Sequence, residues 1–276
     1  MRNTKAIQLI ACDVDGTLID ASGKIPENNR LAIAEAARRG VRFVLASARP
    51  PRMARPIYDA LGLDTYQVNY NGAVIQRPAD DDYAVHLPIE PRLALRVIET
   101  ARAADPELAV SLEIKDRWLT DGLLDGLETA TSLNLTPDYL GPLEPVLVEP
   151  VTKILLLTPP ARMPALRSAL EAALEPEFGG HVRLQVSDEH LVQVVNVEAD
   201  KEHAAAWVAQ AYGISMDAML AIGDAPNDAG MLRAAGVGVA VGGAWDEARA
   251  AADCVSPCGA AEGAVAWAIE RFVLDR

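Results

Sequence analysis

Two aspartates, Asp13 and Asp15, follow the apolar run Ile7-Gln8-Leu9-Ile10-Ala11-Cys12 and lead into Gly16-Thr17. Carboxylates two apart in extended chain point to the same side, and held that close they repel unless a cation compensates them. A hard divalent ion with oxygen ligands is the natural compensator. Gly16 allows a sharp turn, and Thr17 can hydrogen-bond back into it. The pattern recurs late in the chain, where Met219-Leu220-Ala221-Ile222 runs into Gly223-Asp224-Ala225-Pro226-Asn227-Asp228. Brought together, Asp13, Asp15, Asp224 and Asp228 would make an oxygen-rich site suited to Mg²⁺. Each acidic turn taken alone could equally be a solvated turn after a strand. A calcium loop fits less well, because the third acidic ligand before the glycine is missing and Lys24 stands where the closing Glu belongs. Cys254 and Cys258 lack the further His or Cys pair that a zinc site requires.

These residues need elements that carry them to one place. The apolar run before Asp13 reads as a buried strand. Pro26 leads into a helix over Glu27–Arg39, ended by Gly40, and Val41–Ala46 reads as the next strand, stopping at Ser47-Ala48-Arg49. Strand, helix, strand is a βαβ unit with parallel strands. A helix to Ala60 and a strand around Tyr66–Tyr70 follow, ending in Asn71-Gly72. Polar or small residues thus follow every strand at the same edge, where open α/β sheets bind ligands. From about Asp80 the texture changes to an α+β mixture: strand-like Tyr83–Pro88, Ala109–Ile114, Arg117–Thr120 and Lys153–Thr158, helical Pro91–Ala104 and Arg162–Leu174, and a Pro-rich loop over Thr136–Pro150. Leu191–Val197 and the helix from Lys201 to Tyr212 read as a return to the α/β rhythm. The expected organisation is a doubly wound parallel-sheet, Rossmann-like core over residues 1–82 and 190–276, with an inserted α+β domain over 83–189.

Composition bounds the function. The 276 residues carry a formal net charge of −14, which speaks against nucleic acid as a partner and requires any anionic substrate to meet a locally positive site. No apolar run is long enough to span a bilayer, so no membrane partner is expected. Ala6–Ala11 is too short for a secretory leader, and Cys12, Cys254 and Cys258 make no disulfide framework. Both point to the cytoplasm. Monomer and homodimer stay equally open.

Asp13-Val14-Asp15-Gly16-Thr17, Ser47-Ala48-Arg49, Lys201 and Gly223-Asp224-x-x-Asn227-Asp228 occur in the order of the four motifs of the haloacid dehalogenase (HAD) superfamily, which the chain resembles over essentially its whole length. The insert between Ser47 and Lys201 resembles in place and size the type IIB cap of the Cof-like branch. Asn71-Gly72-Ala73, Lys153-Ile154-Leu155 and the tail Ala250–Gly263 also look like that branch. The resemblance implies a phosphatase acting on a small phosphorylated metabolite, a sugar phosphate above all, with Mg²⁺ as cofactor and a cap that closes over the leaving group. It implies Asp13 as nucleophile, Asp15 as general acid and base, Ser47 as donor to a phosphoryl oxygen, and Lys201 as neutraliser of the charge shared by phosphate and Asp13. Metal ligands would be Asp13, Asp224 and the backbone carbonyl of Asp15, with Asp228 orienting or joining them.

Arg49, Asn71, Gly72 and Asn227 are candidate substrate contacts. The rival readings are a surface arginine for Arg49 and turn residues for Asn71-Gly72. Arg117, Trp118, Tyr139 and His190 in the insert could reach a leaving group or could simply pack. Three departures from the family pattern stand out. Ser47 replaces the usual Thr but keeps the hydroxyl. Glu202 replaces the Gly that usually follows the motif lysine, and must turn outward to spare an anionic substrate. Gly243-Ala244 replaces Asn-Ala after the last core strand, so any polar contact of that Asn is lost. The alternatives are a phosphomannomutase-like phosphomutase, which returns the phosphoryl group to a second substrate hydroxyl, and a non-catalytic sugar-phosphate sensor.

Overall fold

The computed structural model describes residues 5–80 and 83–274. In chain order the elements are β1 (Leu9–Cys12), α1 (Glu27–Arg38), β2 (Arg42–Ala46), α2 (Pro51–Ala60), β3 (Gln67–Asn69), β4 (Val74–Gln76) and β5 (Tyr83–His86), then α3 (Pro91–Ala104), β6 (Ala109–Ile114), β7 (Arg117–Thr120), α4 (Ala130–Asn134), β8 (Tyr139–Leu140), β9 (Lys153–Leu157), α5 (Met163–Ala173), β10 (Val182–Asp188) and β11 (Leu191–Asn196). The chain closes with α6 (Lys201–Ala211), β12 (Met219–Gly223), α7 (Ala229–Ala234), β13 (Val237–Ala240), α8 (Asp246–Ala251), β14 (Cys254–Val255) and α9 (Ala264–Ile269). Two compact units result, one of residues 1–85 and 200–276, the other of residues 86–199.

The first unit is built on an eight-stranded sheet of order β14-β13-β12-β1-β2-β3-β4-β5. Strands β14 to β3 are parallel, and β4 turns back antiparallel to β3. All four residues of β1 are buried, as expected of a strand covered by helices on both faces. The chain winds outward from β1 to β2 and β3 on one side, and through β12, β13 and β14 on the other. The switch point is therefore the gap between β1 and β12, whose register runs from Leu9 opposite Met219 to Cys12 opposite Ile222. Buried Asn29 on α1 braces the loop after β1: its Nδ2 donates to the Leu18 carbonyl at 3.2 Å, and its Oδ1 accepts the Ala266 amide of α9 at 2.8 Å.

The second unit has a six-stranded sheet of order β10-β11-β9-β6-β7-β8. Its pairs are antiparallel except β7 with β8. Helices α3 and α5 pack with Val110, Leu112, Ile154, Leu156, Val192 and Val194 in the core of this unit. Here the expected boundary at residue 190 is corrected. Leu191–Asn196 does not resume the parallel core but pairs antiparallel with β9 and with β10, and the chain re-enters the first unit only at Asp200. The physical reason is a hairpin: β10 and β11 are joined by a short turn, so the nearest partner in sequence captures the strand. β10 itself, β4, α4, α8, β14 and the short β8 inside the Pro-rich stretch had no counterpart in the expected elements. No helix among the described residues is long and apolar enough to cross a membrane.

Candidate active site

The strand ends at the switch point bring the sequence motifs together. β1 stops at Cys12, and the turn that follows sends the two aspartates to different partners. Beyond the strand the chain is no longer regularly extended. Asp13 is 6 % exposed and accepts Lys201 Nζ on Oδ1 at 2.5 Å. Asp15 is well exposed and accepts Arg49 in a two-point grip, Nε to Oδ2 at 2.8 Å and Nη2 to Oδ1 at 2.5 Å.

Lys201 is the first residue of α6, whose N-cap Asp200 accepts the His203 amide at 2.7 Å. Its ammonium is fully buried between Asp13 and Asp228, with Asp228 Oδ1 at 2.7 Å. The second oxygen of Asp228 takes the backbone amides of Asp224 and Ala225, both at 3.0 Å. Asp228 therefore folds its own loop and holds the lysine at once. Asp224 accepts Thr17 Oγ1 on Oδ1 at 3.0 Å. The Thr17 amide bonds back into its own turn, to the Val14 carbonyl at 3.4 Å, while its hydroxyl reaches across the switch point. Gly16 lies so close to Asp224 that a Cβ on it would stand 2.6 Å from Oδ2, and its φ of +80° is one that side chains avoid.

One ligand atom from each of Asp13, Asp224 and Asp228 falls within 4.8 Å of the others. Burial pushes the Asp13 carboxyl well above the usual carboxylate range; Lys201 pulls it down, while Asp228 and Asp224 push it further up. Asp224 is raised by burial and by repulsion from Asp228, against the Thr17 hydrogen bond. Burial works against the Lys201 ammonium, yet Asp13 and Asp228 outweigh it and hold it above ordinary lysine. One ammonium thus serves three crowded carboxylates, and a further cation fits this all-oxygen set. Cys12 sits beside the group, but burial and then Asp13 push its thiol up and leave it inert.

Around this centre, Ser47 is fully buried at the end of β2, and its Oγ accepts the Arg49 amide at 3.1 Å. Asn71 and Asn227 meet each other, Asn227 Nδ2 donating to Asn71 Oδ1 at 2.9 Å. Asn69, which sequence reasoning passed over, donates to the Arg49 carbonyl at 3.1 Å and accepts Gln67 Nε2 at 2.9 Å. Its signal was a buried amide on the strand leading to Asn71. Glu202 is exposed, as expected, with its carboxylate against Gly230 on α7.

Gly72 has a packing role. Its φ is +104°, and a Cβ there would lie 2.3 Å from the Asp200 carbonyl oxygen, on the residue that caps Lys201's helix. Gly72→Ala is expected to destabilise the protein by about 3 kcal/mol or more, read from a urea-unfolding midpoint. A midpoint within experimental scatter of wild type would contradict that account.

Of the other candidates, Arg117 pairs with Glu149 at 2.6 Å, Trp118 is buried, Tyr139 donates to the Pro142 carbonyl at 3.0 Å, and His190 Nε2 lies 3.2 Å from the Glu128 carbonyl. Each is engaged within the second unit.

Carboxylates converging on a buried lysine lie where a parallel α/β sheet of this kind binds its ligands, at the switch point. A family model described as haloacid dehalogenase-like hydrolase matches residues 10–269, and the chain belongs to that family. The 5-amino-6-(5-phospho-D-ribitylamino)uracil phosphatase YitU of Bacillus subtilis is 28% identical over 272 residues, covering 96% of this chain and 98% of the relative. The phosphatase YwpJ of the same organism is 26% identical, covering 91% and 94%. A solved haloacid dehalogenase-like hydrolase from Bacteroides thetaiotaomicron superposes with a TM-score of 0.79 at 25% identity, covering 96% and 99%. A solved HAD subclass IIB sugar phosphatase shares the fold, with a TM-score of 0.78 at 18% identity over 96% and 98%.

Proposed function

We propose that the protein is a Mg²⁺-dependent phosphatase that hydrolyses a small phosphorylated metabolite, a sugar phosphate, through an aspartyl-phosphate on Asp13. The observation that carries this reading is the buried Asp13–Lys201–Asp228 group beside Asp224. A carboxylate oxygen of Asp13 attacks phosphorus as the bond from phosphorus to the leaving oxygen breaks, and Asp15 gives that oxygen its proton. Water then attacks the same phosphorus, Asp15 takes its proton, and phosphate leaves as the Asp13 carboxylate is restored.

Lys201 offsets the charge shared by Asp13 and the phosphoryl group, and Ser47 donates to a phosphoryl oxygen. Arg49 keeps Asp15 at the exposed rim through Nε and Nη2, and grips a substrate oxygen only by releasing that carboxylate. Mg²⁺, held by Asp13, Asp224 and the Asp15 carbonyl, would supply positive charge to the phosphoryl oxygens. Asp228, with both oxygens engaged, orients that set. The second unit is read as the cap that selects the leaving group. YitU, named for a phosphorylated ribityl compound, and the HMP-PP phosphatase of Citrobacter koseri, 25% identical over 240 residues, support a small metabolite as substrate. Three free cysteines support a cytoplasmic setting.

The test is phosphate release from a panel of phosphorylated metabolites, with Mg²⁺ and after its removal by a chelator. Release from sugar phosphates that vanishes with the metal is the expected result. Binding of a sugar phosphate without any release would end the hydrolase reading; adding a sugar bisphosphate would then separate phosphomutase from sensor.

A further inference from the structure

Two consecutive residues of the first unit, Tyr70 and Asn71, occupy the left-handed region with φ of 51° and 55°, and neither is glycine. Such a conformation costs roughly 1 kcal/mol or more per residue and persists only where the surroundings impose it. Here they do. The Tyr70 amide donates to the Arg49 carbonyl at 3.2 Å, the Asn71 amide donates to the Ser47 carbonyl at 2.9 Å, and the Tyr70 side chain is buried. The turn after β3 is thereby fastened to the Ser47–Arg49 loop after β2. What the strained turn accomplishes is to carry the Asn71 carboxamide across to Asn227, 156 residues away in sequence. Asn227 precedes Asp228, which holds Lys201 and the amides of Asp224 and Ala225.

We infer that Asn71 and Asn227 are a pair of positioning residues that lock the 224–228 loop, on the metal side, to the Ser47–Arg49 loop, on the phosphate side. This inference rests on the phosphatase reading and reassigns both residues, which their place at the sheet edge had marked as substrate contacts. The hydrogen bond from Asn227 Nδ2 to Asn71 Oδ1 ties the two loops together at the sheet edge. The bridge fixes the spacing between Asp224 and the hydroxyl of Ser47, and with it the distance over which a phosphoryl group and its cation must fit.

The experiment is a double-mutant cycle on the full chain with Asn71→Gly, Asn227→Ala and the double variant. Glycine accepts the φ of Asn71 without strain, so the turn survives while the carboxamide is lost. Asn227 is exposed, and its truncation leaves the core intact. Mg²⁺ affinity is measured by titration calorimetry without substrate, and turnover at saturating Mg²⁺. Each single variant is expected to weaken Mg²⁺ binding about fivefold to tenfold, the range of one hydrogen bond, with the double no worse than the weaker single. KM should move by no more than about twofold. Unchanged Mg²⁺ affinity with a KM that rises in both singles and multiplies in the double would make them independent substrate contacts and overturn the inference. Losses of Mg²⁺ affinity that multiply would overturn the pairing. Wild type that neither binds Mg²⁺ nor releases phosphate would remove the phosphatase reading itself, and the inference with it.

Discussion

Asp13→Asn is expected to lower phosphate release by about four orders of magnitude or more while leaving the fold intact. The amide matches the carboxylate in shape but cannot bond to phosphorus and leave again as an anion. Lys201 keeps Asp228 as its partner, so the substitution strands no buried ammonium. Stability should move the other way. Burial holds the Asp13 carboxyl above its unfolded value, so the folded state binds its proton more tightly than the unfolded chain does. Stability drawn from that proton is present at low pH and is lost as pH rises from the ordinary carboxylate range through the raised folded value. In metal-free buffer the melting temperature of Asp13→Asn should therefore match or exceed that of wild type near neutral pH, with the advantage shrinking toward pH 4. A variant that keeps more than about a tenth of wild-type turnover would remove Asp13 from the nucleophile's role.

That Asp13, Ser47 and the distant Asp224–Asp228 loop belong together was legible because parallel topology is restrictive, whereas Lys201 joined them only through the family resemblance. The parallel strands β1, β2 and β12 deliver their carboxyl ends to the same sheet edge, so Asp13, Ser47 and Asp224 could be brought together without knowing any side-chain angle. What spacing alone could not give is which groups pair there. Asp15 lies two residues from Asp13 yet turns to Arg49, because the chain leaves the extended conformation at Cys12. The Thr17 hydroxyl bonds to a residue 207 positions away, while only its amide stays with its own turn. Asn71 finds Asn227 only through two left-handed residues, a conformation that Asn tolerates and Tyr does not favour. These are choices made by tertiary contacts, at the place where local preference is overridden.

The misplaced strand teaches a different lesson. Leu191–Val197 reads in sequence as a return to the core rhythm, but core strands here are buried on both faces, as in β1. In Leu191-Val192-Gln193-Val194-Val195-Asn196 polar residues interrupt the run, and Gln193 stands opposite Gln185 of β10. A strand with a polar position in mid-run and a similar strand just before it belongs in an antiparallel sheet with one covered face. The signal was present in the period of the pattern, and apolar content alone concealed it.

Lys201→Met should damage stability and catalysis together, which sets it apart from Asp13→Asn. Methionine fills much of the same volume, but it leaves Asp13 and Asp228 buried side by side without their shared ammonium. Breaking a buried pair in this way costs about 3–5 kcal/mol, because the remaining charges lose their partner and regain no water. The two carboxylates then resist ionising together, so Asp13, already pushed up by burial, is pushed higher still. A group raised in the folded state favours folding at low pH and loses that contribution as pH rises. The deficit of Lys201→Met against wild type should thus be small near pH 4 and grow toward pH 8, measured as unfolding midpoints across that range in metal-free buffer. Catalysis should fall at least about a hundredfold even where the variant is folded, since the charge on the attacking carboxylate and the phosphoryl group is no longer neutralised. Added Mg²⁺ should recover part of the lost stability by standing in for the missing positive charge, but little of the rate. A deficit independent of pH would mean that Lys201 acts through its packing rather than through its charge.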